Sequence, residues 1–233
     1  WIKGEEGSTV SIEVYRPSED KYLTFEVERK TIEIPMVTSK MLDNNIGYVA
    51  VYEFEETTSE QFNQAIDALT AQGMKGLIID LRDNPGGLVN SATAILDRIL
   101  SKDQLLVYTV DKNGKKQEEY TEDDETINVP ISVLINGNSA SASEIVSGCL
   151  QDYGKAKLVG TTSFGKGIVQ YVLPLGDGSA IKLTSAKYYT PNGRNIHGTG
   201  IDPDVEVELN SDSETDTQLE KAQEIVLQEI QAE

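Results

Sequence analysis

Apolar and polar positions alternate along residues 8–15, Ser8-Thr9-Val10-Ser11-Ile12-Glu13-Val14-Tyr15, as they do in a half-buried strand. Arg16-Pro17-Ser18-Glu19-Asp20 reads as a turn, and residues 22–28 alternate again, so the two runs predict a hairpin. It carries no apolar core of its own and reads as the end of a small domain whose beginning is missing. From about residue 46 the pattern changes. Ile46 to Phe54 is a predicted strand, and Ser59 to Gln72 a helix with Phe62, Ile66 and Leu69 on one face and Gly73 as its stop. Gly76-Leu77-Ile78-Ile79-Asp80-Leu81 is a short continuous apolar run, the signature of a strand covered on both faces.

After the turn Asp83-Asn84-Pro85-Gly86-Gly87 the pattern predicts a helix over 88–101, then strands over 104–110 and 116–121 around Lys112-Asn113-Gly114. Ile131 to Ile135 is another buried strand, followed by a helix from Ser141 to about Tyr153 and a strand at Lys157-Leu158-Val159. Repeated alternation of strand and helix predicts an α/β layered core. Beyond Gly167 the chain turns β-rich, with strands over 168–175, 179–189 and 204–209. Residues 211–216 read as an acidic linker, and 217–231 as an amphipathic end helix through Leu219, Ile225, Val226 and Ile230. The division expected is 1–30, a core over 31–210, and 211–233.

Composition narrows the function classes. The chain has 233 residues, 38% hydrophobic and 25% charged, in keeping with a globular protein. Its 20 basic and 39 acidic side chains give a net charge of −19, which argues against nucleic acid as a partner. No apolar run approaches the roughly 20 residues of a membrane span, and Trp1-Ile2-Lys3-Gly4 does not open a signal peptide, so no membrane contact is expected of this segment. Cys149 is the single cysteine, which excludes an internal disulfide and a multi-cysteine zinc site. His197 is the single histidine, so a Ser-His or Cys-His system must use it or be absent.

Two segments carry candidate chemistry. Asn136-Gly137-Asn138-Ser139-Ala140-Ser141-Ala142-Ser143-Glu144 leads from a buried strand through small residues into a helix. A nucleophile placed there is held rigidly, beside free N–H groups that can stabilise an oxyanion. Ser141-Ala142-Ser143-Glu144 is equally a capping box that needs no catalysis, and the pattern does not choose among Ser139, Ser141 and Ser143. The second segment, Gly160-Thr161-Thr162-Ser163-Phe164-Gly165-Lys166-Gly167, nearly spells a P-loop. Gly167 stands where Ser or Thr would hold Mg²⁺, and Ile168 to Val172 is β-like where a helix must open, so a nucleotide hydrolase is disfavoured.

Lys166 can instead be a general base. A lysine serves so only when desolvation lowers its pKa far below about 10.4. Phe164 and the glycines are expected to enclose it, the alternative being an ordinary solvated loop lysine. Gln170 can orient the amine, but in a regular strand it would lie about 13 Å away, so the segment must bend.

Together these segments resemble the C-terminal processing peptidases, the tail-specific proteases. The residues that carry the resemblance are Asn138 to Glu144, Asp152-Tyr153-Gly154, Phe164-Gly165-Lys166-Gly167 with Gln170, and Asp80-Leu81-Arg82-Asp83-Asn84-Pro85-Gly86-Gly87. Tyr189-Thr190-Pro191-Asn192-Gly193-Arg194 and Gly200-Ile201-Asp202-Pro203-Asp204 extend it. The family's catalytic serine stands 25 residues before the motif lysine, which selects Ser141 as nucleophile with Lys166 as base. The resemblance further implies Gln170 as supporting residue, backbone N–H groups of Ala142 and Gly87 as oxyanion donors, and no role for His197, read as a surface or loop residue.

It also implies a crotonase-like core of repeated ββα units, and in residues 1–30 the last strands of a PDZ domain whose carboxylate-binding loop is absent. The expected reaction is peptide-bond hydrolysis through an acyl-enzyme, without metal or organic cofactor, on an extended substrate added as a strand. Expected partners are proteins or peptides with accessible C-termini, in an extracytoplasmic setting. A peptide-binding or scaffold module without turnover is the alternative.

Overall fold

The computed structural model describes residues 2–31, 34–124, 126–210 and 215–232. Two compact units result, residues 1–35 and 36–233. In the first, β1 (Thr9–Arg16) and β2 (Lys21–Glu28) form an antiparallel hairpin with Arg16 opposite Lys21, in the register the alternating pattern predicts. Arg29 ties its base together, donating to Ser8 Oγ at 2.8 Å and to the Ile2 carbonyl at 2.8 Å.

The second unit runs β3 (Val37–Met41), β4 (Ile46–Val51), α1 (Thr58–Ala71), β5 (Gly76–Asp80), α2 (Val89–Ile99), β6 (Leu105–Asp111) and β7 (Lys116–Tyr120). It continues through β8 (Ile131–Ile135), α3 (Ala142–Asp152), β9 (Ala156–Gly160), β10 (Ile168–Pro174), β11 (Ala180–Tyr189), β12 (Val205–Glu206) and α4 (Thr217–Ala232). Among the described residues a six-stranded sheet has the order β12-β9-β8-β5-β4-β3, parallel except for the antiparallel edge strand β3.

Side chains alternate across that sheet, and each face finds a different cover. Val49, Val51, Leu77, Ile79, Val133, Ile135 and Leu158 pack with apolar residues of α1, α2 and α3. Ile46, Ile78, Leu134 and Val159 point the other way and meet Ala222 and Val226 of α4. Burial on both faces is why β5 and β8 read as continuous apolar runs. Arg82 fixes the start of α4: its guanidinium reaches Asp80 at 2.6 Å and both carboxylate oxygens of Asp216 at 2.9 and 2.7 Å. Among the described residues no helix is long and apolar enough to cross a membrane.

A second, antiparallel sheet has the order β10-β11-β6-β7. Between Val169 and Gln170 the register slips, leaving Ser185 of β11 unpaired, a bulge that bends the hairpin.

Two predicted elements differ from those formed, and one strand forms that the pattern does not predict. β4 stops at Val51, because Phe54 leaves the sheet and pairs with the glycine turn at Gly87. β3, Val-Thr-Ser-Lys-Met, has one buried residue and gives no alternating signal. The strand expected over 204–209 is confined to Val205–Glu206. Of the acidic segment 211–216, residues 211–214 lie outside the described residues.

Candidate active site

Where β8 ends, the chain turns through Asn136–Ala140 and enters α3 at Ala142. The N-cap is Ser141, with φ 56° and ψ −112°, outside the extended conformation usual for a cap. Such backbone costs a side-chain-bearing residue of order 1–3 kcal/mol and persists only where the surroundings impose it. Here they do. The glycine turn after β5 lies against the same point: a Cβ on Gly86 would sit 2.7 Å from Ser141 Cβ, 2.6 Å from the Ala140 carbonyl oxygen and 2.9 Å from Ala142 N. Only a residue without a side chain fits this approach, and Gly86 (φ 103°) and Gly87 (φ 135°) both use backbone that other residues avoid.

Asn84 holds the turn in place. Its buried side chain donates to the Val51 carbonyl at 2.8 Å and accepts the Gly86 N–H at 2.9 Å. Its own carbonyl accepts from Ala140 N–H at 3.0 Å and from Ser143 Oγ at 2.9 Å. With the Gly86 N–H occupied, the next donor is Gly87. Neither the Gly87 nor the Ala142 N–H has a protein acceptor among the described residues.

The neighbouring serines are spent. Ser139 is fully buried, donates to the Leu81 carbonyl at 2.7 Å and accepts the Asn136 N–H at 2.9 Å. Ser143 is fully buried on Asn84. Ser141 is half-buried.

Glu144 makes its half of the capping box, accepting the Ser141 N–H at 2.8 Å, and does more than cap. The same carboxylate, completely buried, accepts Lys166 N–H at 2.8 Å, Gly165 N–H at 2.7 Å and Ser163 O–H at 2.6 Å. One side chain thus binds the nucleophile candidate's segment to the lysine loop. Burial and the negative charge of Glu144 push the nearby Tyr188 phenol well above its ordinary pKa, keeping it a neutral donor. An outer clasp joins the glycine turn to the serine loop: Asp83 accepts from Asn136 Nδ2 at 3.0 Å and Asn138 Nδ2 at 2.8 Å. Those two amides hold its carboxyl below the usual range.

Lys166 is half-buried, and among the described residues no hydrogen bond joins its Nζ to Ser141 Oγ. Phe164, expected to enclose it, is 63% exposed. Gln170 lies beside the bulge and donates to Thr184 Oγ1 at 3.3 Å rather than to Lys166. His197 is exposed in the turn before Gly198. Gly167 opens strand β10, not a helix, so the P-loop-like sequence has no P-loop structure.

Sequence reasoning missed the roles of Asn84, Tyr188 and the far side of Glu144. For Glu144 the Ser-x-x-Glu spacing gave a signal but only a local one. Tyr188 gave none, since its partners lie 47 and 22 residues away.

Comparison with known proteins places this arrangement. The profile described as Peptidase family S41 matches residues 45–207. The carboxy-terminal processing protease CtpB of Bacillus subtilis is 41% identical over 211 residues, covering 88% of this chain and 44% of that protein. The carboxyl-terminal-processing protease of a Picosynechococcus species is 35% identical over 237 residues, covering 98% of this chain and 57% of that one. Among solved structures, the photosystem II D1 C-terminal processing protease superposes with a TM-score of 0.69 at 29% identity, over 96% of this chain and 61% of that one. The chain spans about half the length of the curated relatives it matches. On the extent of the profile match and the identity to these relatives, the chain belongs to peptidase family S41.

Proposed function

We propose that this chain is the catalytic core of a serine endopeptidase that cleaves proteins near their C-termini through an acyl-enzyme on Ser141. Lys166, as the neutral amine, takes the Ser141 proton while Oγ attacks the scissile carbonyl. The oxyanion that forms accepts hydrogen bonds from the Gly87 and Ala142 N–H groups. Collapse breaks the C–N bond, and the Lys166 ammonium returns the proton to the leaving amine. Water, deprotonated by the same amine, then releases the acyl group. Gln170 turns from Thr184 to orient Lys166 once substrate is bound. The single observation that carries the reading is the pair of unpaired N–H groups, on Gly87 and Ala142, beside the strained Ser141.

Within the same reading, the α/β unit is a crotonase-like core of ββα repeats and residues 1–30 are the end of a PDZ domain. Substrates are proteins or peptides with accessible C-termini, and the setting is extracytoplasmic. The names of the matched relatives, carboxy-terminal processing proteases, support the substrate class.

The test is turnover of an unfolded protein with an apolar C-terminus, together with labelling by a fluorophosphonate probe. Ser141→Ala and Lys166→Ala are each expected to lower kcat by at least about a thousandfold. Undiminished cleavage by both variants sinks the proposal. Absence of cleavage and of Ser141 labelling in the folded parent favours a peptide-binding module instead.

A further inference from the structure

Tyr188, at the end of β11, is 2% exposed. Its hydroxyl lies 3.0 Å from the Ser141 carbonyl oxygen and also contacts the carbonyl oxygen of Lys166. A phenol has one proton, so this donor is shared between the two acceptors or alternates between them. Both acceptors belong to the residues assigned as nucleophile and base. The complementary groups of the same two residues, the Ser141 and Lys166 N–H, both meet Glu144 Oε2 at 2.8 Å. The N–H and the carbonyl of each of these two residues thus meet the same two buried side chains, one from α3 and one from β11, and the Ser141 carbonyl also accepts from the Glu144 and Ile145 N–H groups at 2.9 and 3.0 Å.

Tyr188 is itself anchored. Its N–H donates to the Gly167 carbonyl at 3.2 Å, and its carbonyl accepts from Asn195 Nδ2 at 3.0 Å. The strand carrying it is thereby pinned to the residue following Lys166. The rest of the lysine loop is anchored as well, by Phe164 N–H to the Ser139 carbonyl at 3.0 Å, Ser163 N–H to the Ile201 carbonyl at 3.1 Å and Gly198 N–H to the Gly165 carbonyl at 2.9 Å, but the Lys166 carbonyl is held by Tyr188 and its amine has no hydrogen bond to Ser141.

We propose that Tyr188 is a positioning residue that sets the separation of Ser141 and Lys166 by holding both main-chain carbonyls with one hydroxyl. The inference rests on the Ser141–Lys166 reading above. Proton transfer needs heavy atoms within hydrogen-bond reach, and displacement of a reacting group by about 1 Å can lower a rate about a hundredfold. Without the hydroxyl, the two carbonyls lose their common donor, and the Ser141–Lys166 spacing relaxes although Glu144 and the Phe164 N–H bond to the Ser139 carbonyl still hold the loops together.

The experiment compares Tyr188→Phe with the parent in the complete protein, since Phe keeps the ring that fills the core. The expected result is a kcat roughly 10- to 100-fold lower, KM within twofold of the parent, and fluorophosphonate labelling of Ser141 slowed in proportion. Labelling needs no peptide substrate, so it separates positioning of the dyad from substrate binding. Tyr188→Leu, lacking the ring, should be no better than Phe in labelling. A Tyr188→Phe variant with kcat and labelling rate within twofold of the parent overturns the proposal. So does a deficit that disappears on cooling to where the near-UV circular dichroism of the variant is fully native, because that deficit is one of stability. Activity retained by Ser141→Ala and Lys166→Ala removes the dyad reading itself; dead dyad variants beside an unaffected Tyr188→Phe remove only the clamp.

Discussion

The two halves of the candidate site are built differently. The serine half lies between the ends of β5 and β8 and the first turn of α3, in the most buried part of the molecule. There Asn84, Ser139 and Ser143 are fully buried and spend their polar groups on the two loops that meet at Ser141. On the lysine half Glu144 holds the Ser163 hydroxyl and the Gly165 and Lys166 N–H groups, but the Lys166 amine is not bonded to Ser141. The hairpin beyond it exposes Tyr171, Val172, Leu173, Ile181 and Leu183. In the proposed roles, the nucleophile and oxyanion donors are preorganised by the core, whereas the base is positioned through its backbone and leaves its side chain to be engaged.

The sharpest way to break the comparison is to disturb the serine half at its closest approach. Gly86→Ala places a methyl 2.6–2.9 Å from Ala140 O, Ser141 Cβ and Ala142 N, at φ 103°. The turn must retreat and take Gly87 N–H with it. The expected loss is about 100- to 1000-fold in kcat, the usual effect of losing one oxyanion donor, with KM little changed. A variant at parental kcat would show that this turn does not shape the site.

Glu144→Gln attacks the seam between the halves. The amide keeps the size but offers one acceptor oxygen where four donors now converge, and its NH₂ faces donors. Urea denaturation should show a loss of roughly 2–4 kcal/mol. Equal stability would mean the two halves are held together elsewhere. Gln170→Ala probes the lysine half alone. Gln170 now bonds Thr184 on a solvent-facing strand, so its removal should leave Tm unchanged. If it orients Lys166 in the substrate complex, kcat falls about five- to tenfold, the kinetic equivalent of one hydrogen bond. An unchanged kcat removes Gln170 from the site.

The same contrast explains what was legible in the sequence. The buried parallel strands and the helices covering them announce themselves through apolar runs and 3.6-residue spacing, and β5, β8, α1 and α3 form within a residue or two of expectation. Strand β3 does not, because an edge strand with polar residues carries no burial pattern. Within the site, the tight turn at Gly86-Gly87 and the helix start at Ser141 are local features, so spacing and residue type reveal them. Asn84, Tyr188 and the lysine-loop bonds of Glu144 act across 19 to 59 residues of sequence. Nothing in a local window marks a tyrosine as the donor to two distant carbonyls, or a capping glutamate as the anchor of another loop. The P-loop-like spelling shows the converse case, a local motif set aside because no helix follows it, and β10 forms there instead.

The smallest effect is expected at the outer clasp of the serine half. Asp83 is exposed and joins the glycine turn to Asn136 and Asn138. Its carboxyl is held below the usual range by the two amides, so the ionised form is the one the fold prefers. A depressed folded-state pKa contributes stability that is present above the unfolded value of about 3.9 and disappears as pH falls through the folded value. Asp83→Asn should therefore lower Tm slightly at pH 7. The gap from the parent should narrow as the pH is taken below about 4 and close once the pH has fallen through the lower folded-state value, where the parent's carboxyl is neutral too. Solvent screening at this exposed position keeps the effect small. Because Ser139, Ser143 and Asn84 hold the same loops from beneath without any charge, kcat at pH 7 should stay within about twofold of the parent, well under 1 kcal/mol. A large, pH-dependent loss of activity in Asp83→Asn would mean that the serine half depends on its surface clasp rather than on the buried hydroxyls and amide, and the contrast between the two halves would fail.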